Sequence, residues 1–161
     1  MDRTGHFGGS LLVFFGLLQI IGWNGDSFQT LVLSLLAGGI AAAMSASPDA
    51  DDGLGGIFHR TWVTHSLTTV FIATGCTYII FDDVIHAGVL SGYVTVAIFS
   101  ATLSHVLLDS LTKKGVPLLG PFDSRMWGLR WFKGSNLILN WAFLIAGVAM
   151  GAIYYGLIRL W

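Results

Sequence analysis

Apolar positions run along this chain in long blocks, without the strict alternation that marks a half-buried strand. Five such blocks cover roughly residues 8 to 23, 28 to 47, 64 to 81, 86 to 108 and 136 to 160. A membrane-spanning helix takes about 20 mostly apolar residues, and about 17 at the short end. The second, fourth and fifth blocks meet that length easily; the first and third are short or carry polar residues. The pattern predicts an all-α, polytopic membrane helix bundle of about five transmembrane helices, with residues 1–161 forming one membrane-embedded domain. Between the first two blocks, Asn24-Gly25-Asp26-Ser27 is a turn sequence that fits a tight helical hairpin. Gly38-Gly39 and Ala41-Ala42-Ala43 in the second block are small enough to let neighbouring helices approach closely.

The polar residues sit between the blocks. The connection from Ser47 to Val63 is rich in Gly and Asp, and Phe81-Asp82-Asp83-Val84 is short and acidic. The longest connection, Asp109 to Ser135, is barred from helix by Gly115, Pro117, Gly120 and Pro121. In it, Trp127, Trp131 and Phe132 alternate with Arg125, Arg130 and Lys133, a mixture suited to anchoring in the headgroup layer. Five spans place Arg3, Arg60, Lys113, Lys114, Arg125, Arg130 and Lys133 on one side and only Arg159 on the other. By the positive-inside rule, the crowded side is cytoplasmic, so the N-terminus is expected inside and the C-terminus outside a cell (inner) membrane. Leu11 to Gly22 follows Arg3 like a secretory signal, yet no small-residue cleavage pattern follows it, so it reads as a retained first span.

Composition agrees with this picture. The chain has 54% hydrophobic and 11% charged residues, and its mean hydropathy is +0.73. A soluble domain needs far more polar surface. The net charge of −1 argues against a nucleic-acid partner. The one cysteine, Cys76, lies inside an apolar block, which excludes both a disulfide framework and a cysteine-based zinc site.

The ionisable residues change the picture from scaffold to chemistry. His6, Asp49, Asp51, Asp52, His59, His65, His105 and Asp109 all fall on the basic side, whereas His86 joins Asp26, Asp82 and Asp83 on the other. On a helix His105 and Asp109 share a face, a spacing at which an imidazole and a carboxylate can bind one ion. Ionisable groups converging at the edge of a membrane bundle mark a functional site. Histidine and carboxylate ligands without cysteine suit zinc, with manganese or iron as alternatives, and a metal of this kind activates water for hydrolysis of a phosphoester. Arg60 has the planar fork that matches a phosphate oxygen pair.

Four ordered strings carry a resemblance: Gly5-His6, Pro48-Asp49-Ala50-Asp51, His59-Arg60-x-x-x-Thr64-His65-Ser66, and Ser104-His105-x-x-x-Asp109-x-Leu111-Thr112-x-x-Gly115-Val116-Pro117-Leu118-Leu119-x-Pro121. Together they resemble the YdjM family of inner-membrane, LexA-regulated metal-dependent hydrolases, over residues 5 to about 135. Ligand order alone is also similar to zinc-dependent phospholipase C and P1-type nucleases. The resemblance implies one to three divalent ions per chain held among His6, Asp49, Asp51, His59, His65, His105 and Asp109, with Arg60 as phosphate contact and Asp51 and His65 also in catalytic roles. The implied activity is cleavage of a phosphoester of a lipid or lipid-like substrate at the cytoplasmic face, with membrane lipids as partners. Two positions depart from the family pattern: Phe58 replaces a glycine before the first histidine, and Ile138, near Asn140, stands where a glutamate often falls. Two non-enzymatic alternatives are a metal transporter, whose ligands would lie near the bilayer midplane in broken or repeated helices, and a scaffold binding a soluble regulator through residues 109 to 135.

Overall fold

The structure, a computed structural model, describes residues 1–24, 27–49 and 60–158. Its helices are α1 (Arg3–Ile20), α2 (Phe28–Met44), the short α3 (Trp62–His65), α4 (Leu67–Tyr78), α5 (Val89–Ser110) and α6 (Leu137–Tyr154). Among the described residues there is no strand, and the all-helical bundle expected from the apolar blocks is present. Four stretches, Phe28–Asp49, Leu67–Val84, Val89–Ser110 and Leu137–Tyr154, are long and apolar enough to cross a membrane. The 18-residue helix α1, expected from the sequence to be the first span, is not one of these four.

Local chemistry fixes where each helix begins. The Asp2 side chain accepts from the Gly5 N–H, Ser66 from Thr69, and Asn136 from Leu139, each satisfying an orphan donor of a first turn. Ser27 and Thr30 form a reciprocal capping box at the start of α2. The third apolar block differs from one continuous span: Ser66, extended at φ −123°, separates α3 from α4. That break turns His65 inward while α4 continues through a π-helical turn, Ile79–Val84.

The interior combines a core of Phe14, Phe15, Leu18 and Tyr93 with small residues where helices meet, and many large apolar side chains lie on the exterior. Ala37, Ala41, Ala97, Ala101, Ser34, Ser91, Ser100 and Ser104 are buried. Phe28, Leu36, Phe71, Ile72, Ile145 and Val148 are exposed. The apolar exterior suits a bundle surrounded by lipid, and the small residues allow the close backbone approach that holds helices together there. The tightest approach joins α1 to α6: a Cβ on Gly8 would meet the backbone of Leu144, and one on Gly147 would meet the Gly8 carbonyl. Of the small residues in the second block, Gly38 faces the Phe14 and Phe15 rings, whereas Gly39 faces open space.

Residues 111–136 fold back over one end of the bundle. Leu129 N–H donates to the Ser110 carbonyl at 2.8 Å, Trp131 to Leu111 at 3.1 Å, and Val116 and Trp127 exchange two bonds at 2.8 Å. Val116 is fully buried with Val70 and Val106, and Leu67 N–H donates to the Leu118 carbonyl at 3.0 Å, so this segment ties α4 to α5. Of the three aromatic residues expected as headgroup anchors, Trp127 and Trp131 are exposed at the same end and Phe132 is half-buried.

Candidate metal centre

The site lies where α1 begins, α2 continues to Asp49, α3 ends and α5 ends. His6, His65, His105 and Asp109 are all buried, with Asp49 at 24% side-chain exposure closing the open side. Along α5, Ser91, Tyr93, Val94, Ala97, Ser100, Ala101, Ser104, His105, Leu108 and Asp109 form one helical stripe, so His105 and Asp109 continue the face that packs the bundle.

Polar atoms converge over a few ångströms. The Nε2 atoms of His65 and His105 are 3.1 Å apart. Asp49 Oδ1 lies 3.2 Å from His65 Nε2 and 3.7 Å from His105 Nε2, and Asp109 Oδ2 lies 3.7 and 4.0 Å from the same two atoms. His6 Nε2 is 3.5 Å from Asp109 Oδ1 and 3.9 Å from Asp49 Oδ2, and its ring stacks on that of His105 with centroids 3.9 Å apart.

A hydrogen bond outside this cluster sets the tautomer of His105. Its Nδ1–H donates to the Ser45 carbonyl at 2.7 Å, which leaves Nε2 with its lone pair. His65 Nδ1 and the Thr64 hydroxyl are hydrogen-bonded at 2.8 Å, which orients the His65 ring with its Nε2 toward Asp49 and His105. Both ring nitrogens of His6 are buried without a hydrogen-bond partner among the described residues. Burial pushes the His65 imidazole below its ordinary value of 6.5, against the opposing pull of Asp49. Imidazoles and carboxylates aimed at one another in a buried site are residue types that can share a metal ion. Ligands sharing a tetrahedral ion at bonds of about 2.0–2.1 Å lie about 3.3–3.4 Å apart, close to the distances found here. His6, Asp49, His105 and Asp109 each offer an atom within 4.8 Å of the others, so the group can hold a metal ion.

Of the residues predicted from sequence, His6, Asp49, His65, His105, Asp109 and Arg60 are brought together. Asp51, His59 and Phe58 lie outside the described residues. His86 sits at the opposite end of the bundle, where Nδ1 bonds the Asp82 carbonyl at 3.0 Å. Arg60 takes a more structural position than a free phosphate contact: one guanidinium nitrogen is 2.8 Å from Asp109 Oδ2 and another donates to the Gly115 carbonyl at 2.6 Å. The Met1 amino group also pairs with Asp109. Ile138 is 81% exposed, so the inward residue near that point of α6 is the fully buried Asn140, whose Nδ2 donates to the Gly134 carbonyl.

Sequence reasoning missed the supports. The Ser45 carbonyl gives no side-chain signal, and Thr64 stands out in the sequence only as part of the string that carries the family resemblance. Asn140 had a signal, as a lone amide in a long apolar run.

A family profile described as YdjM inner membrane protein matches residues 1–160. The chain belongs to that family. No curated protein and no solved structure matches it. A YdjM-family chain with four apolar helices of spanning length is a membrane protein, and its His/Asp cluster lies at the ends of its helices.

Proposed function

We propose that this YdjM-family protein is a metal-dependent hydrolase that cleaves a phosphoester of a lipid or lipid-like substrate at the cytoplasmic face of the inner membrane. The observation that carries the reading is the convergence of three buried imidazoles and two carboxylates, with His105 held in the ligating tautomer by the Ser45 carbonyl and His65 oriented by Thr64. Zinc suits this nitrogen and oxygen set, and manganese or iron is the alternative. A divalent ion bound there supplies a Lewis acid for a phosphoryl oxygen and lowers the pKa of a water to about 7.

The chain's own residues supply the rest. His6, Asp49, His105 and Asp109 would hold the ion, with His65 at the edge of the group between Asp49 and His105. Asp109 is held in place by Arg60, and Arg60 by the Gly115 carbonyl, so the basic loop fixes the ligand geometry. An apolar groove of about 470 Å³, lined by Leu12, Val13, Leu107, Leu108, Leu111 and Phe143, begins beside Asp109 in the chain and offers space for a hydrocarbon portion of a substrate. The basic residues on the site's side favour the cytoplasmic orientation.

The test is metal content of detergent-purified protein by elemental mass spectrometry, paired with turnover of lipid phosphoesters, in wild type and His105→Ala. Bound zinc, manganese or iron and turnover that both vanish in the variant are expected. Full activity in His105→Ala, or no metal after reconstitution of the wild type, would overturn the assignment.

A further inference from the structure

Above the metal cluster lies a cavity of about 490 Å³ whose wall includes Asp49, Arg60, Lys113, Lys114, Lys133 and Ser135. Four cationic side chains line it against two carboxylates, Asp49 and Asp2. Arg60 is committed to Asp109 and the Gly115 carbonyl, and Asp2 accepts from the Gly5 N–H. Among the described residues, none of the three lysines has an ion-pair partner.

Their arrangement is built by the backbone rather than by chance surface crowding. Thr112 and Phe132 form a bridge, and Lys113 N–H donates to the Phe132 carbonyl at 2.9 Å, so Lys113 and Lys133 are neighbours across two paired segments. Asn140, buried at the root of α6, donates to the Gly134 carbonyl at 3.0 Å and pins the residue after Lys133. At its floor, the same cavity reaches Asp49, a member of the metal cluster.

From this we infer that Lys113, Lys114 and Lys133 form a subsite for an unesterified phosphate group, distinct from the Arg60 contact. Three ammonium groups match a phosphate monoester, which carries about −1.5 to −2 charges at neutral pH, better than a diester with a single charge. The inference deepens the hydrolase reading by naming the substrate class as a terminal phosphomonoester. The phosphate chemistry is common to a lipid headgroup and to free phosphate.

The experiment measures equilibrium binding to the full chain in detergent, with no turnover required. The probes are inorganic phosphate, dihexanoyl phosphatidic acid and the diester dihexanoyl phosphatidylglycerol. The proteins are wild type, K113Q/K114Q/K133Q and the loop control R125Q/R130Q, each checked by thermal unfolding. The lysine variant should bind phosphatidic acid about tenfold or more weakly, while the arginine control keeps wild-type affinity for it. Tighter binding of phosphatidic acid than of inorganic phosphate assigns the subsite to a lipid headgroup; equal affinity assigns it to the phosphate group alone. Unchanged affinity in the lysine variant, an equal loss in the arginine control, or equal binding of the diester overturns the subsite. Lysine-dependent binding by a protein that holds no metal leaves the subsite standing and removes only the hydrolase.

Discussion

The Nε2 atoms of His65 and His105 face each other at 3.1 Å, and each ring bonds through its opposite nitrogen, to Thr64 and to the Ser45 carbonyl. The Ser45 bond leaves the His105 Nε2 lone pair turned into a buried site that also holds the Asp49 and Asp109 carboxylates, an arrangement that a cation would satisfy. On the proposed function, a bound cation would therefore add to the stability of the site. Removing metal from the wild type with a chelator should lower its melting temperature, and the shift should be absent in His105→Ala. An identical shift in both proteins would contradict this.

Acidification competes with metal through the same lone pairs. The lowered value of His65 means that its neutral form persists below the ordinary 6.5. An unfolded chain takes up this proton first, so stability from His65 is present above pH 6.5 and lost as the pH falls through the folded value. Metal occupancy, followed by equilibrium dialysis, should hold level down to about pH 6.5 and fall only below it. Loss that begins well above that pH would point to a different ligand set.

Asp109 joins the ligand cluster to Arg60. Asp109→Ala removes a ligand and strands a guanidinium whose side chain is only 13% exposed. Breaking such a pair costs about 3–5 kcal/mol. Asp109→Ala should therefore lose both metal and thermal stability, whereas His105→Ala should lose metal with a smaller drop in melting temperature. Equal melting temperatures for Asp109→Ala and wild type would exclude the pairing.

Helix packing carries its own prediction. Gly8→Ala drives a methyl group into the backbone of α6, while Gly39→Ala projects into open space. Overpacking costs about 1–3 kcal/mol, and Gly to Ala in a helix interior gains about 0.5–1 kcal/mol. Thermal unfolding in detergent should fall for Gly8→Ala and hold or rise for Gly39→Ala. A matching response in the two variants would argue against the α1–α6 contact.

A reporter fused to the C-terminus tests orientation. Activity of a periplasm-dependent reporter is expected, and activity of a cytoplasm-dependent one would overturn the arrangement with the N-terminus inside.

The sequence by itself determined the class of the fold and the end of the bundle at which the His/Asp cluster lies. Block length set the helices, because backbone polar groups in a bilayer have to be satisfied within each span. The chain order of His6, Asp49, His65, His105 and Asp109 along alternating spans already placed them on one side. Tertiary structure alone decided what those residues do for one another. Rotation of each helix about its axis depends on contacts such as Gly8 with Gly147, which no local pattern encodes. The break at Ser66 turned His65 inward and the fold of residues 111–136 committed Arg60 to Asp109. The Ser45 carbonyl became a partner of His105 across 60 residues of chain, and such a backbone group leaves no mark in the side-chain sequence.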